Sequence, residues 1–285
     1  MIEQVMHTPH FFIYNTSKNG TEPNACLYGE MVIEGKNLIK RQSWQIYGDF
    51  AEELRKTVEQ QTSHNNGILI YIHGYQADNA FFMQRSGYVI QRKIIDKIYP
   101  HYAIALSLQW SSVIPYGKAV DSALNKGRNF APVVMDIVQI IRQRNPDAPI
   151  SFICHSMGNR VFQGLYEACM HIKPNPRFKD VFLMAADLES NIFESAFNKI
   201  EAHTASLQVY HNRQDVTLKI ADAMVKNPRL GISGTLDYYK PQNCTVHDIT
   251  DVDDDYSFGG KYTHHRYFYG SATIRNAIIQ KLSCQ

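Results

Sequence analysis

ISFICHSMGNRVF, residues 150–162, decides how the chain is read. The apolar and β-branched residues Ile150, Phe152 and Ile153 stop at Cys154-His155-Ser156-Met157-Gly158, after which Val161, Leu165 and Ala168 recur at roughly helical spacing. The pattern predicts a strand, a sharp turn and a helix. A serine at such a corner sits on strained backbone with its hydroxyl pushed outward, and the N–H groups of the following helix face whatever binds there. Ser156 is therefore a candidate nucleophile. The competing reading makes it an ordinary helix N-cap in a strand-to-helix turn.

The flanking sequence supplies the rest of a layered fold. Ile68–Ile72, Ala103–Leu108, Val181–Ala186, Leu207–Tyr210 and Thr245–Ile249 are short apolar runs; the more continuous of them are what a parallel strand buried on both faces requires. Helices are expected between them. Phe50, Leu54 and Val58 mark one over 49–61, closed by His64-Asn65-Asn66-Gly67, and Asp78 can cap another through Phe82 and Ile95 that stops near Tyr99, before Pro100. A long rhythm from Pro115 to Arg144 (Val120, Leu124, Val134, Ile137, Val138, Ile141) contains Gly127 and Pro132, which predict a kink or a split. Further helices are expected over Ile192–Ile200, Val216–Lys226 and the stripe Ile274, Ile278, Leu282. Asn145-Pro146-Asp147 and Lys173-Pro174-Asn175-Pro176 are breaks, and residues 227–243 read as a turn-rich surface loop suited to a lid or cap. Residues 1–45 read as an N-terminal extension with two strand candidates, Phe11–Tyr14 and Met31–Ile33. The expectation is one α/β domain over 1–285, a mostly parallel sheet with helices on both faces.

Composition narrows the function classes. The chain of 285 residues is 44% apolar and 20% charged, which fits a folded domain. Its 29 basic and 27 acidic residues leave +2 without a long basic block, so neither nucleic acid nor an anionic membrane is expected as a partner. Five scattered cysteines without a C-x-x-C pair indicate neither a disulfide framework nor a zinc knuckle. The start MIEQVMHTPH lacks a basic stretch followed by an apolar one, and no apolar run is long enough to span a bilayer; the expected compartment is cytoplasmic.

In a parallel sheet, ligands bind beyond the carboxyl ends of the strands. Those exits carry His73-Gly74-Tyr75, Ser156, Asp187, Asp215 and, after the last strand, His264-His265. A serine hydroxyl needs an imidazole to take its proton, and the imidazole needs a carboxylate to fix its tautomer and stabilise its charged form. All three types occur here in the order Ser, Asp, His.

These residues resemble an α/β-hydrolase of the serine esterase and lipase-like kind, within a largely uncharacterised branch whose elbow reads His-Ser-Met-Gly-Asn. The resemblance runs from about Ile68 to Leu282. It rests on His73-Gly74, Trp110-Ser111-Ser112 with Tyr116 and Asp121, His155–Asn159, Ala185-Ala186-Asp187, Asp215, Arg229-Leu230-Gly231, and His265-x-Tyr267-Phe268. It implies that Ser156 attacks a carbonyl, that the backbone N–H groups of Met157 and Tyr75 hold the oxyanion, and that a small-molecule acyl ester is the substrate, without a cofactor. The base is His265, with His264 second. The acid is Asp215, with Asp187 second; the non-catalytic reading of Asp187 is a cap for the segment starting near Asn191. Cys154 stands where the family has the first elbow glycine, and is expected to be buried and inert. His73 is expected to anchor the loop behind the oxyanion hole and His155 to be structural. The aromatics Tyr262, Tyr267, Phe268, Tyr269, Tyr75 and Trp110 line an acyl pocket or fill the core. The Asp251–Asp255 cluster reads as a solvated loop rather than a metal site. Two other readings compete with a serine hydrolase: a non-catalytic scaffold acting as a binding module, suggested by the missing glycine, and a metal-dependent hydrolase using the C-terminal His and Asp residues.

Overall fold

Alternation along a strand sends neighbouring side chains to opposite faces, so a strand apolar at every position needs a covering layer on each side. β4 (Gly67–Ile72) and β6 (Ile150–His155) are buried throughout. Ile68, Ile70 and Ile72 enter one core, while Leu69 and Tyr71 enter the other. The structure is a computed structural model and describes residues 9–17, 26–34, 37–60, 67–75, 87–98, 101–111, 115–173, 176–225, 227–235, 239–252, 254 and 264–284.

The remaining strands are β1 (His10–Asn15), β2 (Cys26–Glu34), β3 (Asn37–Trp44), β5 (Tyr102–Trp110), β7 (Phe178–Met184), β8 (Thr204–His211) and β9 (Cys244–Asp248). The sheet order is β3-β2-β1-β5-β4-β6-β7-β8-β9. Every pairing from β1 to β9 is parallel, and β2 and β3 add antiparallel at one edge. The α/β-hydrolase architecture expected from the sequence is thus present. Residues 10–44, read as an extension with two strand candidates, carry a third strand, β3, whose sequence NLIKRQSW has too many polar residues to announce itself.

One face is covered by α1 (Tyr47–Gln60), α3 (Tyr116–Arg144) and α4 (Gly158–Cys169), through residues such as Phe50, Leu54, Phe130, Val134, Val161 and Leu165. The other is covered by α2, α6 (Val216–Val225), α8 (Tyr267–Gly270) and α9 (Ala272–Ser283). Helix α2 runs from Gly87–Ile90 through a π-helical turn, Gln91–Ile95, to Asp96–Ile98. Two short helices, α5 (Ile200–His203) and α7 (Leu230–Ser233), lie in connections. The expected residues Ile274, Ile278 and Leu282 form the buried stripe of α9, and Asp254 accepts hydrogen bonds from Ser271 and Thr273 at the start of that helix. Asp254 is thus bound to a helix terminus at the surface. Among the described residues no helix is long and apolar enough to cross a membrane.

Three expectations are corrected. Helix α3 is continuous across Gly127 and Pro132, so the split expected there does not occur. Pro132 and Arg128, whose carbonyl loses its helical partner, both lie on the exposed side, where water replaces the missing N–H. Ile192–Ile200 is not one helix. It holds a single 3-10 turn, Ile192–Glu194, and successive turns that bury Phe193 and Phe197 together, with the Ser195 hydroxyl donating to the Ile192 carbonyl. The loop expected over 227–243 starts deep in the protein: Arg229, Leu230 and Gly231 are buried, and Leu230 N–H donates to Leu188 O. The expectations for residues 61–66, 76–86, 99–100, 112–114, 174–175, 226, 236–238, 253 and 255–263 lie outside the described residues.

Gly127 is the point of closest approach between α3 and α4. A Cβ there would sit 2.0 Å from Val161 O, and one on Gly164 would sit 2.0 Å from Leu124 O. Gly127→Ala gains helix propensity but forces two backbones apart. The expected net effect is a loss of about 1–3 kcal/mol, measured as a lower urea midpoint.

Candidate active site

Ser156 has φ of +55°, in the left-handed region that a residue with a Cβ enters at a cost. The surrounding backbone over-determines it. Its N–H donates to Met184 O at 2.9 Å, and its carbonyl accepts from Asn159 N–H at 3.1 Å, Asn159 Nδ2 at 2.9 Å and Asp187 N–H at 3.3 Å. Asn159 Nδ2 also donates to Cys154 O at 3.2 Å. Two glycines make the room: a Cβ on Gly74 would meet Ser156 Cβ at 2.8 Å, and one on Gly158 would meet His73 O at 2.5 Å. Cys154 faces the core fully buried, and burial pushes its thiol well above its usual range, which keeps it protonated and inert.

Met157 is fully buried and, among the described residues, its N–H donates no hydrogen bond. A buried amide without an acceptor is uncommon, and this one lies beside the serine at the start of α4. Tyr75 follows His73-Gly74 beyond β4, half-buried, with its ring edge-on to Tyr116 at 6.0 Å. His73 fixes that turn. Its Nε2 accepts from Trp110 N–H at 3.1 Å, its Nδ1–H donates to Gly74 O at 2.9 Å, and its carbonyl accepts from Trp110 Nε1 at 3.0 Å. The role expected for His73, holding the loop by hydrogen bonds, is the one observed.

His265 Nδ1 lies 2.7 Å from Asp215 Oδ2. His264 has φ of +50°, a reversal of the backbone immediately before His265. Asp215 is fully buried and serves two structures, because its other oxygen, Oδ1, accepts from Leu218 N–H at 2.9 Å in the first turn of α6. His155 carries His265 from the other side. Its Nε2–H donates to His265 O at 3.1 Å, and the two rings are 4.8 Å apart. Ser156 is the next residue in the chain. The structure therefore closes the Asp215–His265 pair next to the elbow, and its described contacts include no hydrogen bond from Ser156 Oγ to His265. Such bonds commonly tighten only with substrate bound.

Asp187 is engaged elsewhere. Tyr116 Oη reaches both of its oxygens, at 2.8 and 2.7 Å, and Arg229 Nε lies 3.3 Å from Oδ1. Arg229 Nη1 and Arg160 Nη2 share Glu189 Oε1, at 3.1 and 2.9 Å. Among the described residues Asp187 caps no helix, contrary to the non-catalytic reading, because the partly buried Tyr116 and the buried Arg229 claim its carboxylate. Tyr267, Phe268 and Trp110 are core residues, each no more than 1% exposed, so they do not line a pocket; Tyr262 and the Tyr269 side chain lie outside the described set. Tyr267 instead ties the strand ends together, its hydroxyl donating to Tyr210 O at 2.7 Å and accepting from Ala185 N–H. Among the described residues no group of three or more His, Cys, Asp or Glu could hold a metal ion.

A mostly parallel sheet, a serine on a strained turn after a central strand, and an Asp–His pair delivered by later strand exits define the α/β-hydrolase class. Residues 49–282 match the family described as "Alpha/beta hydrolase of unknown function (DUF900)", and the chain belongs to that family. No curated protein matches the chain.

Burial lowers His73 and His10 from 6.5 to about 4. The folded protein keeps both neutral while the unfolded chain protonates them below pH 6.5, so the stability they confer is full above 6.5 and lost as pH falls to about 4. Each accounts for about 3 kcal/mol. Urea midpoints measured from pH 7 to pH 4 are expected to fall steadily, most steeply below 6; a flat series contradicts the assignment.

Proposed function

We propose that the protein is a serine hydrolase that cleaves a carboxylic ester through an acyl-enzyme. The observation that carries this is the 2.7 Å Asp215–His265 bond set against a serine held at positive φ. Asp215 fixes the Nδ1–H tautomer of His265 and leaves Nε2 to accept the serine proton. Ser156 Oγ forms a bond to the ester carbonyl carbon as its proton passes to Nε2. The oxyanion is held by the Met157 and Tyr75 amides. Collapse breaks the bond to the alcohol oxygen, which leaves with the proton from His265. Water then adds to the acyl carbon, gives a proton to His265, and the acid departs as Ser156 regains it. Preorganised donors aimed at the developing charge are worth about 10²–10³ in rate each. The Met157 amide, which donates no hydrogen bond among the described residues, supports this reading. The scaffold reading drew on Cys154; that side chain is buried in the core beside a Ser156 at positive φ, which favours the hydrolase reading.

A fluorophosphonate probe is expected to label the wild type and not Ser156→Ala, with near-identical melting of the two. Hydrolysis of short aryl esters should fall by about 10³-fold or more in Ser156→Ala and His265→Ala. Labelling that survives in Ser156→Ala would falsify the proposal.

A further inference from the structure

The proposed function places two amides, of Met157 and Tyr75, around the reacting oxygen, and they come from parts of the chain with no covalent relation. An oxyanion hole works only if both donors hold fixed positions relative to Ser156. Backbone bonds fix the Met157 side. On the Tyr75 side His73 bonds the Gly74 carbonyl and Trp110, and the Tyr75 ring itself makes a further contact.

A single buried cluster reaches both. Tyr116, first residue of α3, sets its ring against that of Tyr75 at 6.0 Å and sends its hydroxyl to both oxygens of Asp187. The backbone N–H of Asp187 donates to Ser156 O at 3.3 Å. Arg229, fully buried, lies against Asp187 and reaches Glu189. Arg160, 4% exposed, meets the same Glu189 oxygen, and its own N–H donates to Met157 O at 2.9 Å. Two guanidinium groups thus balance two carboxylates, and the phenol remains neutral because burial and the adjacent Asp187 raise its pKa. A cluster of opposite charges paired in this way resists displacement, since moving any member parts a charge from its partner, although the Nε of Arg160 and of Arg229 makes no hydrogen bond in it.

We infer that Tyr116, locked by Asp187, is a positioning residue that holds Tyr75 and its amide in register with the Met157 amide, so that one ionic cluster sets the geometry of both halves of the oxyanion hole. The inference rests on the serine-hydrolase reading. It also gives Asp187 a function in that reaction different from the relay acid.

The test compares a carbonyl ester with its thionoester, in which sulfur replaces the carbonyl oxygen. Sulfur is larger and a weaker acceptor, so the ratio of kcat/KM for the two substrates reports the fit of the oxyanion hole, whereas simple loss of folded enzyme lowers both equally. Tyr116→Phe is expected to reduce this ratio about tenfold, a fraction of the effect of losing one donor, with KM little changed. Tyr75→Leu keeps the amide, removes the ring contact at a half-buried site, and is expected to lower the ratio similarly, so a misfolded Tyr116→Phe does not shield the inference. Tyr47→Phe removes a phenol–carboxylate bond of the same kind, to Asp136, 20 residues beyond Tyr116 along α3, and is expected to leave the ratio unchanged. If Tyr116→Phe and Tyr75→Leu lower both rates in equal proportion, or neither, the inference is overturned while the proposed function stands. A wild type that neither turns over esters nor takes the fluorophosphonate probe overturns both.

Discussion

The structure depends on the peptide that joins Ser156 to its neighbours. A left-handed residue between a buried strand and a buried helix persists only where its own N–H and carbonyl are paired and no side chain crowds it. Strand β7 supplies an acceptor through Met184, Asn159 folds its amide back under the turn, and Asp187 closes the remaining lone pair. Glycines stand at the two closest approaches, 74 and 158. The third small position accepts Cys154, because the elbow demands space on the side where Gly74 and Gly158 lie and leaves room on the core side.

Much of this was legible from the residues. The apolar runs announced the central strands because a two-sided environment leaves no polar alternation to confuse them, and the strand exits announced Ser156, Asp215 and His265 as candidates because a parallel sheet gathers its chemistry at one end. Legibility failed where tertiary context overrode local pattern. Strand β3 carries polar residues suited to an edge, and Pro132 sits in an unbroken helix because its orphaned carbonyl faces water. Arg229 lies among turn residues that read as surface, yet it is fully buried; no local signal tells that two carboxylates wait for it. The motif His265-x-Tyr267-Phe268 favoured His265 over His264, and it is His265 that the structure sets against Asp215 at 2.7 Å.

The same context explains how the two candidate acids separate. Both follow parallel strands and both are nearly inaccessible. Asp215 faces an imidazole and the start of a helix, whereas Asp187 faces a phenol and a guanidinium. Position in the chain ranked Asp215 ahead of Asp187, and their partners make them different chemical groups.

Asp215 divides its oxygens between a helix and an imidazole, and this makes structure and chemistry separable in an unusual way. Asparagine at the position retains one carbonyl oxygen, enough to receive the Leu218 amide, but presents NH₂ to His265 where an acceptor is needed. The fold would keep its cap while the imidazole flipped its proton to the other nitrogen. One atom, oxygen for nitrogen, thus distinguishes a chain that merely has this architecture from one in which the imidazole is set to receive a proton.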